Sequence, residues 1–299
     1  MPQDHRLQPQ RFELKYVVPE EATRPIRDFV SCYLELDDFS VGKPNNSYTI
    51  HSVYLDSDGM HTHRATCNGD KNRFKLRLRY YNDDPKTPVF FEIKQRVDSS
   101  ILKQRCPVKR EFVPLLLSGQ LPEPEHLFSQ EPKHLVALQR FQFLQYQLGA
   151  TPKLHNRYLR EAWVTSTSNA VRVTFDRQIL VEPYFGREAV IPLTHPSIIY
   201  PGMVVLELKF TGRFPNWLRD MVERFNLMRG TASKYCGAVD MLGDFHFNPQ
   251  NAAGDHAMEF STEMLQPDTP LPVIWEWNAP PPKRRRAESS DSLETQFEI

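Results

Sequence analysis

Residues 73–81 read RFKLRLRYY. Basic and apolar side chains alternate, and in a β-strand positions i, i+2 and i+4 share one face. Arg73, Lys75, Arg77 and Arg79 therefore line one side, with Phe74, Leu76 and Leu78 on the other. Residues 89–96, VFFEIKQR, repeat the pattern: Glu92, Lys94 and Arg96 against Phe91 and Ile93. Between them lies Asn82-Asp83-Asp84-Pro85, a cluster of turn residues, so the two strands are predicted to form a hairpin.

The same division recurs on both sides of this hairpin. Residues 11–18 separate Arg11, Glu13 and Lys15 from Phe12, Leu14 and Tyr16. A third strand over 100–112 follows and places Lys103 and Arg105 together. Residues 170–181 set Arg172, Thr174 and Asp176 against Val171, Val173 and Phe175, and 204–210 set Glu207 and Lys209 against Leu206, Leu208 and Phe210. Strands are also expected over 48–55 and 153–165, and helices over 19–33, 122–147 and 214–228. About eight strands with few helices predict an α+β fold, a closed antiparallel β-barrel or tunnel with helices packed outside.

A single strand with one charged face ordinarily turns that face to water. Six such strands, most rich in Arg and Lys with at most one acid beside them, point instead to a shared interior. The apolar faces then need a core of their own, which helices outside the barrel supply. The chain of 299 residues carries 37 basic and 37 acidic side chains, a net charge of zero. Bulk charge therefore gives no reason to expect a nucleic-acid partner. An anion site has to come from local clustering. Crowded cations in a lumen call for a polyanion, and phosphate oxygens match both the Arg fork and the Lys point charge. Glu13, Glu92 and Glu207 are the candidate oxygen ligands for a divalent metal arriving with the phosphates.

Other features are weaker. Cys32, Cys67, Cys106 and Cys236 are far apart and form no C-x-x-C pair, so free thiols are expected, with neither a zinc site nor a disulfide framework. Free thiols suit a reducing cytoplasm. Residues 1–10 lack an apolar signal-peptide core, and no apolar run approaches the ~20 residues of a membrane span. His51, His61 and His63 are expected in loops or at the surface, and Asp56 and Asp176 serve equally well as strand-end caps or ligands. From residue 248 to 299 the pattern fails, and this Pro- and Ser-rich stretch with its Lys283-Arg284-Arg285-Arg286 run is expected to be a disordered tail.

Taken in order, RFELKY (11–16), YLDS (54–57), KLRLRYY (75–81), FEIK (91–94), YLR (158–160), RVTFD (172–176), LELK (206–209) and SKY (233–235) resemble the VTC domain. This is the catalytic domain of the vacuolar transporter chaperone polyphosphate polymerases, within the CYTH-like triphosphate tunnel metalloenzymes. The resemblance spans roughly residues 10–242, so a tunnel domain over 1–247 is expected. It implies an eight-stranded tunnel that moves the γ-phosphate of ATP onto a growing inorganic polyphosphate chain with Mn2+ or Mg2+. It implies phosphate-holding catalytic roles for Lys15, Arg77, Arg79, Lys94, Arg160, Arg172 and Lys209, joined by Ser233 and Lys234. Arg11, Lys75 and Arg96 complete the substrate-binding set, Tyr158 packs or hydrogen-bonds at the lumen wall, and Glu207 is the implied metal ligand. Hydrolytic and cyclase relatives begin with an E-x-E-x-K strand, whereas Arg11 stands at the first acidic position here. That departure favours the polymerase over a metal-dependent triphosphate or polyphosphate hydrolase. A non-catalytic module binding polyphosphate or an inositol polyphosphate is the remaining alternative. The fungal members also carry membrane helices, which this sequence does not show, so translocation by this chain alone is not expected.

Overall fold

Among the described residues ten strands join one antiparallel sheet: β1 (Arg11–Pro19), β2 (Glu35–Leu36), β3 (Tyr48–Asp56), β4 (Arg73–Tyr80), β5 (Val89–Val97), β6 (Ser100–Val108), β7 (Thr151–Val164), β8 (Val171–Pro183), β9 (Ser197–Ile199) and β10 (Met203–Thr211). Eight of them run in the order β1-β10-β8-β7-β3-β4-β5-β6, with short β2 on β7 and β9 on β8. Among the described residues six α-helices accompany them: α1 (Thr23–Val30), α2 (His61–Cys67), α3 (Val113–Leu117), α4 (Pro132–Leu148), α5 (Asn216–Arg224) and α6 (Lys234–Leu242). The computed structural model describes residues 11–98, 100–166, 170–190, 192–230 and 232–247. The tail expected over 248–299 lies outside the described residues.

The sheet is strongly curled. β1 and β5 are six places apart in the strand order. On a flat sheet, at about 4.8 Å per strand, they would stand roughly 29 Å apart. Yet Lys94 Nζ on β5 lies 3.2 Å from the Glu13 carboxylate on β1. The curl therefore brings nearly opposite strands within one ion pair across the concave face.

It does not close by backbone hydrogen bonds, which corrects the expectation of a closed barrel. Among the described residues β1 and β6 are the two ends of the sheet. Each outer edge is taken by a loop instead. Arg229 bridges Tyr16 of β1, and Gly230 N–H donates to Lys15 O. Leu127 bridges Val108 of β6, Lys109 N–H donates to His126 O, and Phe128 N–H to Pro107 O. These contacts cover the middle of the β1 edge and the C-terminal end of the β6 edge without a ladder between the two strands.

The apolar faces build the core outside the curl, as the alternation requires. Leu76, Leu78, Phe91 and Ile93 pack with Val113 and Leu116 of α3 and Leu138, Phe141 and Leu144 of α4. Val173, Phe175, Leu206 and Leu208 pack with Ile26 and Val30 of α1 and Leu218 and Met221 of α5. The helix expected over 122–147 starts later, at Pro132, and ends at Gly149, whose φ of 60° is the left-handed cap conformation. Pro124 opens only a short 3-10 turn before it.

One end of the concave face is apolar and sealed. Gln178 has a φ of 50°, and the β7–β8 register shifts beside it. Such a bulge reverses the in–out alternation, so Ile179 and Val181 turn inward. They join Ile50, Leu154 and Val205 under Tyr235, Ala238 and Val239 of α6. Ser233 caps α6 by accepting from Cys236 N–H at 3.2 Å. The helix is thereby fixed with its first turn against the charged half of the concave face.

Candidate functional site

Alternation along β1, β4, β5, β7 and β10 delivers basic side chains to a single cavity of about 360 Å3. Lys15, Arg73, Lys75, Arg77, Arg79, Lys94, Arg96, Arg160, Lys209, Arg229 and Lys234 line it, against two carboxylates, Glu13 and Glu207. Tyr54, Tyr158 and Ser233 add hydroxyls. In a chain of zero net charge this is a concentrated positive field, and walls of low dielectric strengthen it.

Two networks hold the cations apart. Glu207, buried at the centre, lies 3.1 Å from Lys15 Nζ, 2.9 Å from Lys209 Nζ, 3.3 Å from Lys234 Nζ and 3.6 Å from Arg160 Nη2. Asp176 takes Arg160 Nε and Nη2 at 2.6 and 2.7 Å and Lys234 Nζ at 2.5 Å. In the second network Glu92 is held by Arg77 Nη2 at 2.6 Å, Lys103 Nζ at 2.9 Å and Arg105 Nε at 3.2 Å. Arg79 Nη2 donates to Tyr158 Oη at 3.2 Å, and Lys75 Nζ to Ser233 Oγ at 3.1 Å.

These contacts alter protonation. Burial opposes ionisation of Glu207, but Lys15, Lys209, Lys234 and Arg160 outweigh it and hold the carboxyl well below the usual carboxylate range. Burial likewise opposes ionisation of Glu13, yet Lys209, Lys94 and Lys15 bring it down to about 2. Desolvation pushes the Lys94 ammonium down to about 7, with Glu13 pulling up and Lys15 and Lys209 pushing further down. A bound polyanion favours the charged form and raises that value. Affinity for a polyanion should therefore be full below pH 7 and weaken as pH rises through 7 towards the bound-state value. Measuring Kd for long-chain polyphosphate from pH 6 to 9 checks this. Lys94→Arg should flatten the profile relative to the parent, because guanidinium keeps its charge throughout.

Of the residues expected at the site, the cavity gathers Lys15, Arg77, Arg79, Lys94, Arg160, Lys209, Lys75, Arg96, Tyr158, Ser233, Lys234, Glu13 and Glu207. Arg172 is not among its lining. Arg172 Nη2 points to Asp37 at 3.1 Å and to Tyr48 Oη at 3.4 Å instead. Glu92 does not converge with Glu13 and Glu207 either, because its oxygens are committed to Arg77, Lys103 and Arg105. The Arg11 side chain lies outside the described residues. Sequence reading missed Arg229, brought in by the loop on the β1 edge, and left Asp176 undecided. Asp176 is the buried counter-ion of Arg160 and Lys234. Asp56 is a cap, accepting from Thr62 N–H and His63 N–H at the start of α2. His51 and His63 are buried rather than at the surface.

Glu13 Oε1 and Glu207 Oε1 lie 3.3 and 3.1 Å from the same Lys15 ammonium. Two hard oxygens already share one positive charge, and carboxylate oxygen is the donor Mn2+ or Mg2+ takes. The pair lines the cavity and Glu92 does not, so Glu13 and Glu207 are the carboxylates placed to take a divalent ion, which would displace the Lys15 ammonium they share. Among the described residues no helix is long and apolar enough to cross a membrane.

No curated protein sequence matches this chain. Among solved structures, a Bacillus halodurans protein with the provisional description of adenylate cyclase, determined at 2.12 Å resolution, is similar to it at 13% identity. That similarity covers 76% of this chain and 95% of the other, with a TM-score of 0.42. The profile of the VTC domain family matches residues 10–242. The match takes in every strand of the sheet and runs to the last residue of α6. The chain belongs to the VTC domain family.

Proposed function

We propose that this chain is an ATP-dependent inorganic polyphosphate polymerase. The observation that carries this reading is the cavity itself, eleven cationic side chains against two carboxylates with one end sealed by α6. Such a surplus suits a linear polyanion better than a single phosphate group. In the reaction, a terminal oxygen of the polyphosphate chain attacks the γ-phosphorus of ATP in line. The new P–O bond forms as the bond from the γ-phosphorus to the β,γ-bridging oxygen breaks, and ADP leaves with the electron pair. The attacking oxygen is already an anion, so no general base is needed.

The chain's own residues position and neutralise. Arg77 and Arg79 on β4 and Lys15 and Lys209 on β1 and β10 face the transferring phosphates from opposite walls. Arg160 has two nitrogens on Asp176, which fixes its plane and leaves Nη1 for a phosphate oxygen. Lys75 and Ser233, already hydrogen-bonded, grip the chain beside α6. Glu207 and Glu13 would hold Mn2+ or Mg2+, whose charge screens the phosphate oxygens when it is bound.

Incubating the purified chain with ATP and Mn2+ and resolving products on a polyphosphate-stained gel tests this. A ladder that lengthens with time alongside ADP is the expected result. Orthophosphate without a ladder would identify a triphosphate or polyphosphate hydrolase. Tight, salt-sensitive polyphosphate or inositol polyphosphate binding with no nucleotide consumed would identify a non-catalytic binding module.

A further inference from the structure

Helices α2 and α6 meet beside the cavity, and each carries two metal-ligating side chains four residues apart. His63 and Cys67 lie on α2, and Cys236 and Asp240 on α6. Spacing of i, i+4 puts each pair on one helical face. His63 Nε2, Cys67 Sγ and Cys236 Sγ all fall within 4.8 Å of one another. Cys67 Sγ is 3.4 Å from His63 Nε2, and Asp240 Oδ1 is 2.8 Å from the same nitrogen. Tetrahedral zinc asks for roughly 3.6–3.8 Å between sulfur and its neighbouring donors, so His63, Cys67 and Cys236 need only small side-chain shifts, and Asp240 would swing from its His63 hydrogen bond to become the fourth ligand.

We propose that His63, Cys67, Cys236 and Asp240 form a Zn2+ site joining α2 to α6. Two thiolates and an imidazole select zinc over Mg2+ or Mn2+, which prefer oxygen. With two thiolates, one carboxylate and a neutral imidazole, the loaded site carries one net negative charge. Lys75 Nζ, 3.5 Å from Cys236 Sγ, supplies the compensating positive charge and a hydrogen bond to a ligand sulfur. Among the described residues His63 Nδ1 has no hydrogen-bond partner, so it can carry the ring proton when Nε2 ligates. Cys67 and Asp240 are exposed while His63 and Cys236 are buried, which gives the ion an entry path to a packed site. The site would clamp the first turn of α6, whose Lys234 reaches Glu207 and Asp176 in the cavity.

Cobalt reports such a site directly. The full chain, reduced and stripped of metal, is titrated with Co2+. One equivalent should produce intense tetrahedral visible bands and a near-ultraviolet thiolate-to-cobalt charge-transfer band, and one equivalent of Zn2+ should bleach both. The oxygen-only Glu13–Glu207 pair cannot give a thiolate band, so this signal is independent of the polymerase reading. Cys67→Ser with Cys236→Ala should abolish the charge-transfer band with an unchanged circular dichroism spectrum, and Asp240→Asn should weaken cobalt affinity tenfold or more. The reduced parent protein showing no thiolate band would overturn the proposal. So would a band that survives the double substitution, or air oxidation to a Cys67–Cys236 disulfide in a protein whose reduced form ignores cobalt.

Discussion

Glu207→Gln should cut metal-dependent polyphosphate synthesis at least 100-fold while leaving the chain folded and able to bind polyphosphate. A 100-fold loss corresponds to about 2.7 kcal/mol in the barrier. Gln keeps the size of the side chain, so packing around β10 survives; its one oxygen can accept from Lys15 and Lys234, while its amide NH2 faces Lys209 without accepting from it. What it removes is the charge that, with Glu13, would hold the divalent ion. It also leaves Lys15, Lys209, Lys234 and Arg160 with one counter-charge fewer. Polyphosphate binding in the presence of a chelator should therefore tighten, not weaken. Gel-resolved synthesis with Mn2+, set beside Kd measured in chelator, separates the two effects. Full synthesis in the variant would remove Glu207 from the metal-holding role.

Arg160→Met should lower stability by about 3–5 kcal/mol, the usual cost of breaking a buried ion pair from one side. Arg160 and Asp176 are both buried, and both oxygens of Asp176 accept from the guanidinium. Methionine leaves Asp176 with Lys234 as its remaining cation and strips the face of Tyr158 of the guanidinium above it. A melting temperature lower by about 10 °C is expected for a domain of this size. Adding Asp176→Asn should recover part of the loss. A double-mutant cycle should give a coupling of at least about 1 kcal/mol, because the two side chains share one network. An additive cycle would show that the pair makes no net contribution, and Arg160 would then be held by other contacts.

Much of the site was legible because it depends on parity alone. Once 73–81 and 204–210 are strands, Arg77, Arg79 and Lys209 have one available direction, and the cavity lining agrees. Parity failed where the chain breaks its own period. The bulge at Gln178 turns Ile179 and Val181 inward, and no residue type there announces it. It also says nothing about position along the strand. Arg172 shares the inward face yet sits beside Asp37 and Tyr48, contacts made by a loop and a strand distant in sequence. Closure was over-read for the same reason. Part of each outer edge, at Lys15 and Tyr16 of β1 and at Pro107 and Val108 of β6, is covered by 229–230 and 127–128, segments without a strand pattern. The thiol cluster was invisible to spacing rules written for contiguous C-x-x-C, since its halves lie 169 residues apart, at Cys67 and Cys236.

The unclosed sheet has a topological consequence for a polymer substrate. A ring clasping a long chain can release it only by sliding along to a free end, a process that slows with every unit added. Here the far mouth is stoppered by α6, so threading straight through is blocked. The link from β1 to β5 is the Glu13–Lys94 ion pair rather than a ladder of amides. An ion pair between side chains parts by rotamer motion, whereas a ladder of amides parts only by local unfolding. The curled sheet is thus a hook with a latch, not a sleeve, and under the proposed polymerase reading it would let product leave sideways at a rate independent of its length.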